Sequence, residues 1–120
     1  MKCLILVKAS KASEKGAMPT LELLAAMGKY NEELIKAGIM QGGGGLKPTL
    51  SGKRVRFAGA KRTVISGPFT PTSDQDAGYW LWQVKSMDEA VEWLKRCPNP
   101  MLEDSDIEIR PEFEAADFAQ

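Results

Sequence analysis

Histidine is absent from the 120 residues, so imidazole general base catalysis, Ser-His and Cys-His nucleophile schemes and His-ligated metals are excluded. The groups left for chemistry are hydroxyls and carboxylates. Ser66, Asp74 and Tyr79 are the candidate catalytic residues, with Asp74 paired to Ser66 or Tyr79. A carboxylate base of that kind needs its pKa raised by burial. Cys3 and Cys97 are too few for a structural zinc site or a disulfide framework, so no metal and no cofactor are expected. Binding chemistry is better represented. Gly44 and Gly45, inside the run Gly42 to Gly45, offer backbone donors that a ligand can approach closely. Arg56 is the candidate anion partner, Ser66 a polar group, and Phe69, Tyr79 and Trp82 an apolar wall. Each has a plainer role: Ser66 in a turn, Arg56 projecting from a hairpin, Trp82 in the core. Without a Lys-Ser or Lys-Thr pair at the right spacing, the glycine run is not a phosphate-binding loop.

The elements that must position these residues follow from pattern. Cys3 to Val7 is a continuous apolar run, read as a strand covered on both faces. Ala9 to Ala17 reads as a mobile loop. Pro19 to Ala37 reads as a helix with Pro19 in its first turn, Gly38 as its cap, and a buried stripe of Leu21, Leu24, Met27 or Gly28, Leu34 and Ile35 interrupted by Asn31. Gly28 within it implies a close crossing against the sheet. Arg54 to Ala58 and Arg62 to Ser66 alternate as a hairpin, and Gly78 to Val84 is a strand with Trp80, Trp82 and Val84 on one face. Ser86 and Glu89 open a second helix that Pro98 stops, and Asp106 to Arg110 is a last strand. Residues 1–111 form one domain on this reading and 112–120 an acidic tail.

Strand, helix, glycine strand, hairpin, strand, helix, strand is the order of a ferredoxin-like split β-α-β sandwich with an inserted hairpin. Two helices cover one sheet face only, yet two strands are apolar on both. A second copy packed on the other face resolves this, which predicts a homodimer. Burying about 600 Å² of apolar surface contributes roughly 15 kcal/mol gross, before association entropy is subtracted.

Charge adds a further constraint. Lys and Arg total sixteen, as do Asp and Glu, but Lys47, Lys53, Arg54, Arg56, Lys61 and Arg62 crowd a stretch without acids, while residues 103–120 hold seven acids and one arginine. The basic stretch is one hairpin long, too short for a continuous phosphate track, so nucleic acid is not expected. No apolar run approaches membrane length, and a cytoplasmic location is expected.

Several landmarks occur together: Asn31-Glu32-Glu33-Leu34, Gly43-Gly44-Gly45-Leu46 with Pro48, Gly67-Pro68-Phe69, Gly78-Tyr79, Asp88-Glu89-Ala90, Cys97-Pro98 and Ile109-Arg110-Pro111. In these the chain resembles the YCII-related proteins, in their DGPF-domain branch, with Ser66 standing where that branch has aspartate. The resemblance implies a dimeric α+β barrel. Some members of the wider superfamily are thought to act on small aromatic breakdown products through a histidine and an aspartate, and this chain has no such histidine. The function expected is binding of a small anionic or aromatic metabolite at the dimer edge, where the glycines meet the Ser66–Phe69 turn. The alternatives are a non-catalytic dimeric interaction module and an altered enzyme.

Overall fold

The structure is a computed structural model describing residues 1–118. Six strands and three α-helices form in the order β1 (Lys2–Lys8), α1 (Lys11–Glu14), α2 (Leu21–Lys36), β2 (Met40–Gly45), β3 (Lys53–Ala58), β4 (Lys61–Ser66), β5 (Asp76–Gln83), α3 (Met87–Lys95) and β6 (Ile107–Pro111). Four strands make one antiparallel sheet in the order β2-β5-β1-β6, and β3 with β4 makes a separate two-stranded ribbon.

Alternation along the strands decides what is buried. Cys3, Ile5 and Val7 of β1 lie opposite Trp82, Trp80 and Gly78 of β5, and all six are buried. Tyr30 and Leu34 of α2 and Ala90 of α3 pack on this face, with Ile39 and Val84 closing the core. The Tyr30 hydroxyl donates to the Trp93 carbonyl at 2.7 Å, which ties α2 to α3. Leu4, Leu6, Leu81 and Tyr79 point to the opposite face, which neither α2 nor α3 covers.

The fold is α+β, but the expected dimeric α+β barrel is not formed. The sheet is open, with β2 and β6 as its edges held apart by β5 and β1, and among the described residues no sheet closes. The hairpin does not bridge those edges. It stands away from the body, every residue from Lys53 to Ser66 exposed.

Three local expectations change. Residues 11–14 are not loop but one helical turn, because Ser10 and Ser13 cap each other reciprocally, Ser13 N–H to Ser10 Oγ at 3.0 Å and Ser10 N–H to Ser13 Oγ at 2.8 Å. Pro19 stands before α2 rather than in its first turn. Thr20 is the N-cap, its Oγ1 accepting from Leu23 N–H at 3.1 Å. The buried face of α2 is also rotated. Leu34 of the expected stripe is buried, with Tyr30 beside it and Met27 packed against the core, whereas Leu21 (85% exposed) and Ile35 (62%) lie outside the core. A Cβ on Gly28 would meet nothing within 4 Å, so no close crossing accounts for that glycine. Among the described residues no helix is long and apolar enough to cross a membrane. Phe113 and Phe118 of the acidic tail pack together, ring centroids 5.0 Å apart and tilted by 39°, and residues 119–120 of that expected tail lie outside the described residues.

Candidate functional site

The glycine run becomes the edge strand β2. Gly43, Gly44 and Gly45 pair with Trp80, Tyr79 and Gly78, after an irregularity between Met40 and Gly42. An edge strand keeps one side of its backbone outside the ladder, and glycine leaves that backbone bare. The glycines are not equivalent. A Cβ on Gly43 would come within 2.8 Å of both Trp80 Cδ1 and Tyr79 O, so the close approach of β2 to β5 requires glycine there. Gly45, on the same face two residues on, would place its Cβ in open space.

That open space is a cavity of about 550 Å³ between α2 and β2, in the ordinary size range for small-molecule sites. Met27, Asn31 and Ile35 of α2 form one wall, Met40 and Gly42 to Gly45 another, and Val7, Gly78 to Trp80, Pro100 and Met101 complete it. Asn31 is its amide side chain. The Trp80 indole is a donor only, so its 3.1 Å hydrogen bond requires Asn31 to present Oδ1. The Asn31 amide nitrogen is thereby turned away from Trp80, and among the described residues it donates to no protein group. A second chamber of about 450 Å³, lined by the 16–19 segment, Leu23, Leu46 and Leu102, continues from the first and shares Gly45, Ala77, Pro100 and Met101 with it.

The Gly67-Pro68-Phe69 turn lies elsewhere, at the base of the hairpin. Gly67 N–H donates to the Gly52 carbonyl at 3.0 Å and Phe69 N–H to Thr49 Oγ1 at 2.9 Å. Thr49 in turn donates its hydroxyl and its N–H to the Glu14 carboxylate, the latter at 3.1 Å to Oε1. The Arg54 guanidinium lies 3.9 Å above the Phe69 ring and reaches Gln75 Oε1 at 3.2 Å. Helix α1, the 49–52 turn and the hairpin base are therefore one hydrogen-bonded clasp. A shallow cavity of about 420 Å³ beside it is lined by Phe69, Lys47 and Lys53.

Of the candidates read from sequence, Gly44, Gly45 and Tyr79 line the larger cavity. Ser66 is on the exposed hairpin, its Oγ accepting from Lys53 Nζ at 2.9 Å, and Arg56 is on the same hairpin. Phe69 belongs to the clasp. Asp74 is exposed in a short 3-10 turn (Thr72–Asp74), and Trp82 is fully buried in the core, its Nε1 unpaired. The structure does not bring Ser66, Asp74 and the glycines together. Met27 and Ile35 were read only as part of the helix stripe and Met101 had no sequence signal, because only the fold brings them to the glycines. Asn31 had one, as the polar interruption in an apolar stripe.

A hydrogen bond to Asp76 raises the pKa of the Lys8 ammonium against the opposing effect of its burial, whereas burial governs the phenol and thiol ionisations. It pushes the Tyr30 phenol up from its ordinary 10.0, and the Cys97 thiol from 9.0 up to about 11. Neither is an activated group. Among the described residues no three Cys, Asp or Glu side chains gather as a metal cage.

An open antiparallel α+β sheet with a ligand-sized cavity at its glycine edge is the class that this geometry defines. Residues 1–112 match the YCII-related domain, and the chain belongs to that family. An uncharacterized protein of Rhizobium meliloti (strain 1021) is 29% identical over 90 residues, 75% of this chain and 69% of its own. Among solved structures, the fold is similar to that of 5-chloro-2-hydroxyhydroquinone dehydrochlorinase from Burkholderia phenoliruptrix AC1100, solved with 2,5-dihydroxybenzoquinone. The TM-score is 0.50 and the identity 22%, over 97% of this chain and 98% of that one.

Proposed function

We propose that the protein binds a small, planar, oxygen-substituted aromatic molecule in the cavity between α2 and β2. The observation that carries this reading is a ring-sized space with one wall of bare glycine backbone and, beside Tyr79, an amide side chain, Asn31, whose orientation Trp80 sets. A flat ring packs against Gly43 to Gly45, with Met27, Ile35, Met40 and Met101 around it, while the Asn31 amide N–H donates to a ring oxygen. Of the catalytic candidates only Tyr79 lines this space, which favours binding over a Ser66–Asp74 reaction. The DGPF-branch assignment and the homodimer belong to the same reading. The latter is supported by the apolar face of Leu4, Leu6, Leu81 and Tyr79 that neither long helix covers.

The ligand of the fold relative, 2,5-dihydroxybenzoquinone, is the probe to try first, by titration calorimetry. Saturable binding is expected. Gly45→Leu, which fills the cavity without a backbone clash, weakens it at least tenfold. Asn31→Asp keeps the acceptor for Trp80 but removes the donor to the ligand, and weakens binding comparably. Absence of binding by this and related hydroquinones, or binding that Gly45→Leu leaves unchanged, overturns the reading.

A further inference from the structure

We infer that the β3–β4 hairpin is an arm that clasps a second copy of this chain, its apolar side seated on the partner's helix-free sheet face. The inference rests on the homodimer just proposed and names the element that makes it. A two-stranded ribbon alone in water is marginal, because it has no third strand or helix to bury its apolar face. Here directly opposite residues share a face, so Val55, Val64 and Phe57 line one side, with Arg62 opposite Phe57 and the Lys53–Ser66 pair at its base, while Arg54, Arg56 and Lys61 line the other with Ile65, Thr63 and Ala58. Phe57 is 72% exposed and Val64 61%, with only the Arg62 guanidinium resting on the Phe57 ring at 4.5 Å. Among the described residues nothing else covers that apolar side.

The dimensions agree. The radius of gyration is 16.4 Å, against about 14 Å for a compact domain of this length. The molecule measures 49 × 45 × 20 Å, flat and drawn out by the arm. A lasting interface needs roughly 800 Å² per partner. Strand spacing of about 4.8 Å and rise of about 3.3 Å per residue give the four-stranded face a flat footprint near 400 Å², and the arm adds roughly 200 Å². That flat sum of roughly 600 Å² comes nearer to the figure than either surface alone.

Charge selects the same partner. The stretch Lys47 to Arg62 carries six basic residues and no acid, while residues 103–117 carry seven acids and one arginine. Within one chain these acids belong to β6 and its flanks, at the far edge of the sheet from β2. A two-fold exchange of arms sets each basic edge against the partner's acidic edge, and the contact is repeated symmetrically.

Sedimentation velocity on the full chain from 1 to 100 µM is the test. The wild type is expected to sediment as a dimer that weakens as salt is raised. Phe57→Asp and, separately, Val55→Asp are each expected to raise the dimer dissociation constant at least tenfold. Both positions are exposed in the single chain, so far-UV circular dichroism should be unchanged. A wild type that stays monomeric throughout the range overturns the arm and the dimer together. A dimer that both variants leave intact overturns the arm and keeps the sheet-face dimer.

Discussion

Replacing Gly67 by alanine tests whether the Gly-Pro-Phe turn is a structural clasp. The added Cβ would overlap the Thr49 carbonyl oxygen and come within 2.6 Å of its carbon, both backbone atoms that no rotamer change can move aside. The turn must separate from the 49–52 segment, at an overpacking cost of about 1–3 kcal/mol. Separation also strains two hydrogen bonds, Gly67 N–H to Gly52 O and Phe69 N–H to Thr49 Oγ1, each worth about 1 kcal/mol. The sum is about 3–5 kcal/mol. With an unfolding entropy near 2.1 cal/mol/K per residue, 1 kcal/mol moves the melting point by about 4 °C in a chain this long, so a fall of roughly 12–20 °C is expected. Gly28→Ala is the internal control. Its Cβ meets nothing, and alanine in a helix interior is favoured by up to about 1 kcal/mol, so the melting point should rise by a few degrees. Calorimetric melting gives both values, and hydrogen exchange reports whether the hairpin amides lose protection. If Gly67→Ala melts within 2–3 °C of the wild type with hairpin protection intact, the clasp argument is wrong.

Further outcomes follow from the same contacts. Thr49→Val removes the hydroxyl that bonds both Glu14 and Phe69 N–H, and should cost about 1–3 kcal/mol. A melting point that does not fall shows that α1 and the hairpin base are held by something else. Tyr30→Phe deletes the hydroxyl donated to Trp93 O across the α2–α3 contact, and should cost about 1 kcal/mol, read from a urea midpoint. Alkaline pH should destabilise the fold. The Cys97 thiol and the Tyr30 phenol hold their protons longer in the folded chain than in the unfolded one, so their contribution is complete below the unfolded values of 9.0 for Cys97 and 10.0 for Tyr30. It is lost as pH climbs through about 11 for Cys97 and higher for Tyr30. Urea midpoints that rise between pH 9 and pH 11 contradict this sign.

Much of the architecture was legible because it is local. Period-two alternation placed Trp80 and Trp82 on the buried face, and the hairpin strands differ from the reading by one residue at their starts. The orientation of α2 was not legible, because that helix carries two apolar stripes. Leu21, Leu24 and Ile35 are one, Tyr30 and Leu34 the other, and only the sheet's position decides between them. The clasp was hidden for a similar reason, since Glu14 and Thr49 are separated by 35 residues and neither type announces the other. The barrel had another origin. It came with the family resemblance, whereas the residues themselves required only that the second sheet face be covered. At the site, the glycines were visible and their neighbours were not, because side chains from α2 reach them only through the crossover.

The two glycines on the cavity side of β2 have opposite evolutionary freedom. Position 43 is locked, because any side chain would collide with Trp80 and the Tyr79 carbonyl. Position 45 is unconstrained, and a methyl, isopropyl or isobutyl group there would shrink the chamber stepwise without disturbing strand pairing. One codon thus acts as a volume control for ligand choice, and descendants of this chain can narrow what they admit at little cost to the scaffold.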